Sequence, residues 1–108
     1  MSYNFNEVRA IQKAQIIPPD IIRIEADINY SIVHLTSGKK IILAKTLKQF
    51  QEMLDPQNFV RPCRSHLINT RFIKKASETK VILKNGFQLP VSRRRRIGLM
   101  TIINITNN

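Results

Sequence analysis

The chain has 108 residues, of which 43% are hydrophobic, so it is long enough for one domain with a single core. Its formal charge of +11 at pH 7 favours a polyanionic partner, either nucleic acid or an acidic membrane surface. Cys63 is the only cysteine, which excludes an intrachain disulfide and a cysteine-rich metal site and fits a reducing compartment.

The basic charge is concentrated in one part of the chain. Residues 56–96 contain eleven Lys or Arg and a single acid, Glu78, for a net +10, whereas the rest of the chain has seven bases and six acids. This asymmetry predicts a basic face rather than a general surface bias. No signal segment and no run of about 20 apolar residues is present. We therefore expect a cytoplasmic protein that does not insert into a membrane.

The first half of the chain predicts an extension, a β-meander and a helix. Residues 1–18 are interpreted as an N-terminal extension with a candidate strand at Ile16–Ile17, and residues 19–105 as the domain proper. Pro18 and Pro19 restrict the backbone between them. The domain opens with an alternating pattern that predicts a strand with one buried face, formed by Ile22, Ile24, Ala26 and Ile28. A strand at Tyr30–Thr36 and the apolar run after "SGKK" complete the meander.

One short helix is predicted around residues 46–54. Thr46 and Gln49 have the spacing of a capping box, in which each side chain satisfies a backbone amide of the other residue. Leu47, Phe50 and Leu54 then fall on one face at helical spacing. Asp55 precedes a proline, which disfavours continuation of the helix.

Short strands and a hairpin are predicted in the second half. The strands lie at Phe59–Arg61 and Phe72–Lys75. Asn85-Gly86 predicts a hairpin with a two-residue turn, which pairs Ile82 with Leu89. Pro90 cannot donate to a ladder and indicates an edge strand or a bulge. The C-terminal segment "IGLMTIINITNN" fits a helix or a strand.

The four consecutive arginines, Arg93–Arg96, follow this hairpin directly. Ser92 can cap a following turn, which would place the arginines on its first residues. Cations there oppose the helix dipole, and a nucleic-acid phosphate bound at the same helix end would relieve the conflict. The alternative is a solvated basic tail.

A second basic stretch, "FVRPCRSHLINTRFIKK", mixes cations with small polar residues. Arginine can bind guanine bidentately, and serine or asparagine can bind phosphates or bases. The candidate DNA contacts of this stretch are Arg61, Arg64, Ser65 and His66. The alternative is a loop that bonds its own backbone, which we favour for Asn69.

Enzymatic function is not predicted. His34 and His66 are far apart in sequence and lack partners at metal-ligand spacing. In extended chain the adjacent side chains of Ser65 and His66 diverge, which does not suit a nucleophile and its base. The chain has only three glycines and no glycine-rich phosphate loop. We expect no metal and no cofactor. We interpret Cys63 as an apolar filler, and the alternative is a redox-sensitive thiol beside Arg61 and Arg64.

The order of these motifs resembles the LytTR DNA-binding domain of bacterial transcriptional regulators. The similarity runs from about Asp20 to Arg96, through "IIRIEADINYSIVHLTSGKKIIL", "KTLKQFQEML", "FVRPCRSHLIN" and "NGFQLPVSRRR". It implies a mostly β fold, elongated and antiparallel, with about ten short strands in several small sheets and one short helix. It also implies that loops enter successive major grooves of double-stranded DNA, at a direct-repeat promoter site that holds two domains with weak or no self-association off DNA.

Carried over by position, the resemblance implies DNA contacts in three places. They are Asn29 and Tyr30 in the first turn, Arg64 before the serine of "SHLIN", and Arg93 after "PVS", with Arg95 and Arg96 on phosphates. The chain departs from the family at Ile28, where many members have glycine, and at Pro62-Cys63, where many have Val-His. Two alternatives stay open: an RNA-binding β domain, and a basic module that docks on an acidic protein or membrane surface.

Overall fold

The structure is a computed structural model that describes residues 9–107. Residues 1–8 of the predicted extension therefore lie outside the described residues. The helices are α1 Arg9–Ala14, α2 Leu47–Met53 and α3 Arg96–Asn107, with 3₁₀ turns at Pro18–Asp20, Thr70–Phe72 and Arg93–Arg95. The strands are β1 Ile21–Asp27, β2 Tyr30–Leu35, β3 Lys40–Leu43, β4 Phe59–Cys63, β5 His66–Asn69, β6 Ile73–Ala76, β7 Lys80–Leu83 and β8 Gln88–Pro90.

The expected mostly β, antiparallel, multi-sheet class is confirmed, with differences in detail. The described residues form eight strands rather than about ten, and α1 and α3 accompany the one helix that was expected. The strands form a five-stranded sheet in the order β3-β2-β1-β5-β4 and a three-stranded sheet in the order β6-β7-β8. The principal extents are 36, 31 and 28 Å, so the elongation is slight.

The larger sheet is covered on both faces, which gives the molecule two hydrophobic clusters. Neighbouring residues of β5 point to opposite faces, so Leu67 lies in the first cluster and Ile68 in the second, each with no exposed surface. The first cluster includes Phe50 of α2. The second joins the sheet to β7, β8 and α3, through Leu83 and Leu99 among others. All four residues of β5 are buried, which explains the lack of alternation in "HLIN".

The segment before β1 contributes to the first cluster. Ile11 of α1 is 1% exposed and Ile16 is 5% exposed. The expected strand at Ile16–Ile17 is wrong, because α1 precedes it, Gln15 has a left-handed φ of 56°, and Ile16 donates its backbone N–H to Ile11 O at 3.2 Å. The division between residues 18 and 19 stays a prediction.

A bulge in β1 changes the expected buried face. Ile21 pairs with Leu35 and Arg23 with His34, so Ile22 is an extra residue in the ladder with β2. Ile21 and Ile24 therefore face the first cluster, whereas Ile22 packs against the second. The expectation for Ile28 is also wrong, since this residue lies in the β1–β2 turn with its side chain exposed.

Helix α2 begins as its sequence predicts. Thr46 Oγ1 accepts from the backbone N–H of Gln49 at 3.2 Å, and Gln49 Oε1 accepts from the backbone N–H of Thr46 at 2.8 Å. The capping box is thus confirmed, and Leu47 and Phe50 are buried. Leu54 ends the helix in extended conformation two residues before Pro56.

The β7–β8 hairpin forms with a register one residue away from the expected one. Val81 pairs with Leu89 and Ile82 with Gln88. The backbone N–H of Leu83 donates to Phe87 O at 2.9 Å, which closes a three-residue loop of Lys84, Asn85 and Gly86. Only Gly86 has positive φ, at 90°, as in a type I turn followed by a glycine bulge. The two-residue turn would have required positive φ at Asn85 as well. Pro90 lies on the edge strand β8, as expected.

Candidate nucleic-acid interface

Strand order brings two turns to the same end of the larger sheet. β1 and β5 are antiparallel neighbours, with Glu25 opposite His66. The β1–β2 turn follows β1 and the β4–β5 turn precedes β5, so the two turns are adjacent. A hydrogen bond of 2.9 Å from the backbone N–H of Ala26 to Ser65 O joins them.

The exposed side chains of these turns surround an open hollow. Ile28 and Tyr30 come from the first turn, and Arg64 and Ser65 from the second. Tyr30 is 53% exposed, and Asn29, Arg64 and Ser65 are also exposed. Lys48 at the start of α2 and Arg61 of β4 complete the basic part of the lining. Apolar, polar and cationic groups thus meet on one surface.

Arg61 of β4 holds the β4–β5 turn. Its Nη2 donates to the backbone O of Arg64 at 2.7 Å, and its Nη1 donates to Gln51 Oε1 of α2 at 3.0 Å. Burial lowers the pKa of Arg61, and the nearby guanidinium of Arg95 lowers it further. Arg61 therefore lies between the turn that carries Arg64 and the arginine run.

The residue just before the arginine run is bonded to β4. The backbone N–H of Ser92 donates to Pro62 O at 2.8 Å, and a 3₁₀ turn over Arg93–Arg95 leads directly into α3. Ser92 is the N-cap of this turn, although its hydroxyl makes no capping bond. The interpretation of the run as a solvated tail is therefore wrong, because these residues are the first turns of a packed helix.

The four arginines have different surroundings. Arg93 and Arg94 are exposed, and Arg95 and Arg96 are half-buried. Arg94 and Arg95 line a second hollow together with Arg61. Arg96 instead donates its Nε to Glu78 O at 2.8 Å, toward the smaller sheet. Arg61 thus borders both hollows, and a continuous basic surface runs from Arg64 to Arg95.

His66 lies beneath this surface rather than on it. It is 9% exposed; its Nδ1 is 3.0 Å from Ser65 Oγ and its Nε2 is 3.0 Å from Arg23 Nη1. Since arginine can only donate, Nε2 accepts and Nδ1–H donates to the serine. The expected divergence of the Ser65 and His66 side chains is therefore wrong, although the serine accepts from the ring and does not give up its proton to it. Burial lowers the pKa of His66, and the charge of Arg23 lowers it further. The neutral ring connects the turn to the interior.

Arg23 and Glu25 are half-buried, and the cation packs beneath the hairpin. The guanidinium carbon of Arg23 lies 3.8 Å from the centroid of the Phe87 ring, a cation–π contact between the two sheets. Glu25 is 3.4 Å from Arg23 and accepts from His34 Nε2 at 2.9 Å. This bond to His34, followed by the charge of Arg23, lowers the pKa of Glu25. The solvated face expected for Arg23 and Glu25 is thus partly covered.

Sequence reasoning missed some residues of this surface. Ile28 was expected in the core, and Arg94 and Lys48 were not singled out. Arg94 could have been included, since it lies within the run that was highlighted. Asn69 accepts at Oδ1 from the nearby backbone N–H of Arg71 at 3.0 Å, as expected for a residue that bonds its own loop. Its Nδ2 instead donates to the distant Ile21 O of β1 at 2.9 Å, which was not expected.

Other kinds of site find little support. Among residues 9–107, no three His, Cys, Asp or Glu side chains lie close enough to hold a metal ion. No helix within this described range is long and apolar enough to cross a membrane. Cys63 is buried, with its Sγ 3.5 Å from Ser65 Oγ.

Comparisons with known proteins bear on the family and the fold. A family model described as the LytTr DNA-binding domain matches residues 5–104. A solved structure, the LytTr DNA-binding domain of a methyl-accepting/DNA response regulator from Bacillus cereus, superimposes with a TM-score of 0.69 and 20% identity over 79% of this chain and 82% of that chain. This likeness establishes the fold. No curated protein matches the sequence.

Proposed function

The chain belongs to the LytTR family of DNA-binding domains, and we propose that it binds double-stranded DNA sequence-specifically as part of a cytoplasmic bacterial transcriptional regulator. The observation that carries this proposal is the position of Arg61. It touches the turn of Arg64 on one side and borders Arg95 on the other, so both cationic groups lie on one continuous surface. We infer that a single duplex contacts the turn of Arg64 and the arginine run together.

The exposed residues at this surface divide into base readers and phosphate contacts. Arg93 and Arg64 are free of intramolecular side-chain bonds among those described, so each guanidinium can bind a guanine edge bidentately. Asn29, Tyr30 and Ser65 can meet bases or phosphates from the adjoining turns. Arg95 lies beside the hollow bordered by Arg61 and suits a phosphate.

Arg61, His66 and Arg96 are used partly by the protein itself. Arg61 and His66 hold the β4–β5 turn, and we assign them a positioning role rather than direct base contacts. Arg96 uses Nε on Glu78 O and retains its other N–H groups for a phosphate. Such internal bonds reduce the entropy cost of presenting the neighbouring side chains to DNA.

We further propose that two such domains occupy a direct-repeat promoter site, with loops in successive major grooves and little self-association off DNA. Selection of bound sequences from random duplex DNA tests this arrangement. Recovery of a short motif repeated in the same orientation supports it. Recovery of inverted repeats, or of no motif, would contradict it.

The roles of the arginines are tested by titrating selected and scrambled duplexes. About five phosphate contacts give a slope of log K against log salt of roughly −4 to −5 per domain. We expect Arg93→Ala to lose about 1–3 kcal/mol of discrimination between the two duplexes. We expect Arg96→Ala, the matched control from the same run, to weaken both equally. If Arg93→Ala lost the same affinity for both duplexes, Arg93 would not contact a base specifically.

The two alternatives predict different results in the same assay. An RNA-binding domain that stacks bases needs exposed aromatic side chains, and Tyr30 is the only such residue within the described range. A module for acidic surfaces would bind anionic vesicles as tightly as duplex DNA. Single-stranded RNA and anionic vesicles therefore serve as competitors, and we expect neither to displace the selected duplex at equal concentration.

A further inference from the structure

Ile28 is the most exposed large hydrophobic residue in the described part of the chain. It is 90% exposed and lies at the tip of the β1–β2 turn. Its φ is 55°, in the left-handed region that a β-branched side chain rarely adopts. The protein thus holds an apolar side chain in water on a strained backbone.

The fold itself does not explain an isoleucine at this position. Asp27 pairs with Tyr30, so only Ile28 and Asn29 form the loop, and glycine or asparagine would fit the positive φ with less strain. With so little of its surface covered, the side chain contributes almost nothing to either hydrophobic cluster. The side chain is therefore available for a contact outside the folded chain.

The surroundings of Ile28 identify the chemistry of that contact. It lines the same hollow as Tyr30, Arg64 and Ser65, which belong to the surface proposed above for DNA. An isoleucine side chain has no hydrogen-bonding group, so it cannot bind a phosphate or a polar base edge. The apolar group exposed in the major groove is the C5-methyl of thymine.

We propose that Ile28 is a specificity residue that packs against the C5-methyl group of a thymine in the recognition site. This inference rests on the proposed function and adds a hydrophobic contact to the arginine contacts. It also predicts that the target site contains a thymine beside the base pair met by Arg64, because the two side chains share one hollow. The strained backbone presents the side chain outward.

The test replaces each thymine of the selected duplex in turn by deoxyuridine, which removes only the methyl group. For the wild-type chain we expect at least one position where this weakens binding about three- to fivefold, the effect of losing the burial of one methyl group. For Ile28→Gly and Ile28→Asn we expect the same replacement to change binding by less than about twofold. Both variants relieve the backbone strain, so neither is expected to lower the thermal midpoint.

Ile17→Ala supplies the matched control. Ile17 is 52% exposed and precedes β1, whereas Ile28 follows β1, so the two lie at opposite ends of that strand. Deoxyuridine should weaken DNA binding by Ile17→Ala as much as it weakens binding by the wild type.

The outcomes separate this inference from the proposed function. Equal deoxyuridine penalties in the wild type and in Ile28→Gly would overturn the role of Ile28. The proposed function would still stand in that case if Arg93→Ala lost discrimination between the selected and scrambled duplexes. A wild-type chain with no sequence preference would overturn both. Loss of the penalty in the Ile28 variants alone supports the contact.

Discussion

Replacing Arg61 by lysine separates the two uses that an arginine in this place can have. A phosphate contact is largely kept by lysine, which retains the charge. The role seen in the structure needs a fork, because Nη2 donates to the backbone O of Arg64 while Nη1 donates to Gln51. A single ammonium group on a flexible stem cannot hold both acceptors in the same geometry.

The size of the effect follows from the bonds that are lost. A hydrogen bond from a charged donor contributes about 1.5–3 kcal/mol, and the lower end applies here because both acceptors are exposed to solvent. Lysine keeps one of the two bonds, so the loss is about 1.5 kcal/mol. The turn also retains the bond from Ala26 N–H to Ser65 O. We therefore expect DNA affinity to fall about three- to tenfold.

The assay is a titration of the selected duplex at several salt concentrations. Arg61→Lys should weaken binding while leaving the slope of log K against log salt unchanged, since no charge is removed. Arg71→Lys is the control, because Arg71 is an exposed arginine that lines a different hollow with Pro18 and Pro19. Its affinity should match that of the wild type.

Two results would refute this reasoning. Wild-type affinity in Arg61→Lys would mean that charge alone matters at this position. A slope that is shallower by about 0.9 in Arg61→Lys would mean that the arginine meets a phosphate which lysine cannot reach.

The remaining predictions concern stability. Asn69→Ala should cost about 2–4 kcal/mol in urea unfolding, because the buried Ile21 carbonyl and a turn amide both lose their partner. Thr46→Ala should cost about 1 kcal/mol in the same measurement through loss of the N-cap. Burial lowers the pKa of both His66 and His34, so the unfolded chain binds more protons. The free energy of unfolding should therefore be highest above about pH 6.5 and should fall as the pH drops below that value. Thermal melts between pH 7 and 5 should show this fall, and His66→Gln should make it smaller.

Local signals in the sequence were sufficient where neighbouring residues alone decide the structure. The capping box at Thr46 involves residues three apart, and α2 begins there. The Asn85-Gly86 pair marked the hairpin correctly but not its register, because two- and three-residue loops can share that pair and differ only in which residue takes positive φ.

Features set by distant contacts were not predictable in the same way. The C-terminal segment fits a helix or a strand by composition. It forms the helix α3, which places Leu99 and Ile103, four residues apart, on one face that packs into the second hydrophobic cluster. The sequence identifies Arg61 as a cation but cannot reveal that Gln51 and the Arg64 carbonyl take up its donors. Whether an arginine holds a turn in place or contacts a DNA base depends on such partners.

One irregularity in β4 connects the proposed contact groups. Val60 pairs with Ile68 and Cys63 with His66, so Arg61 and Pro62 together oppose a single residue of β5. Proline is tolerated at a bulge because the ladder requires no donor there. The same bulge lets Arg61 hold the turn of Arg64 and lets Pro62 O accept from Ser92 at the start of the arginine run. The backbone of a sheet that is covered on both faces therefore sets the spacing between the turn of Arg64 and the start of the arginine run.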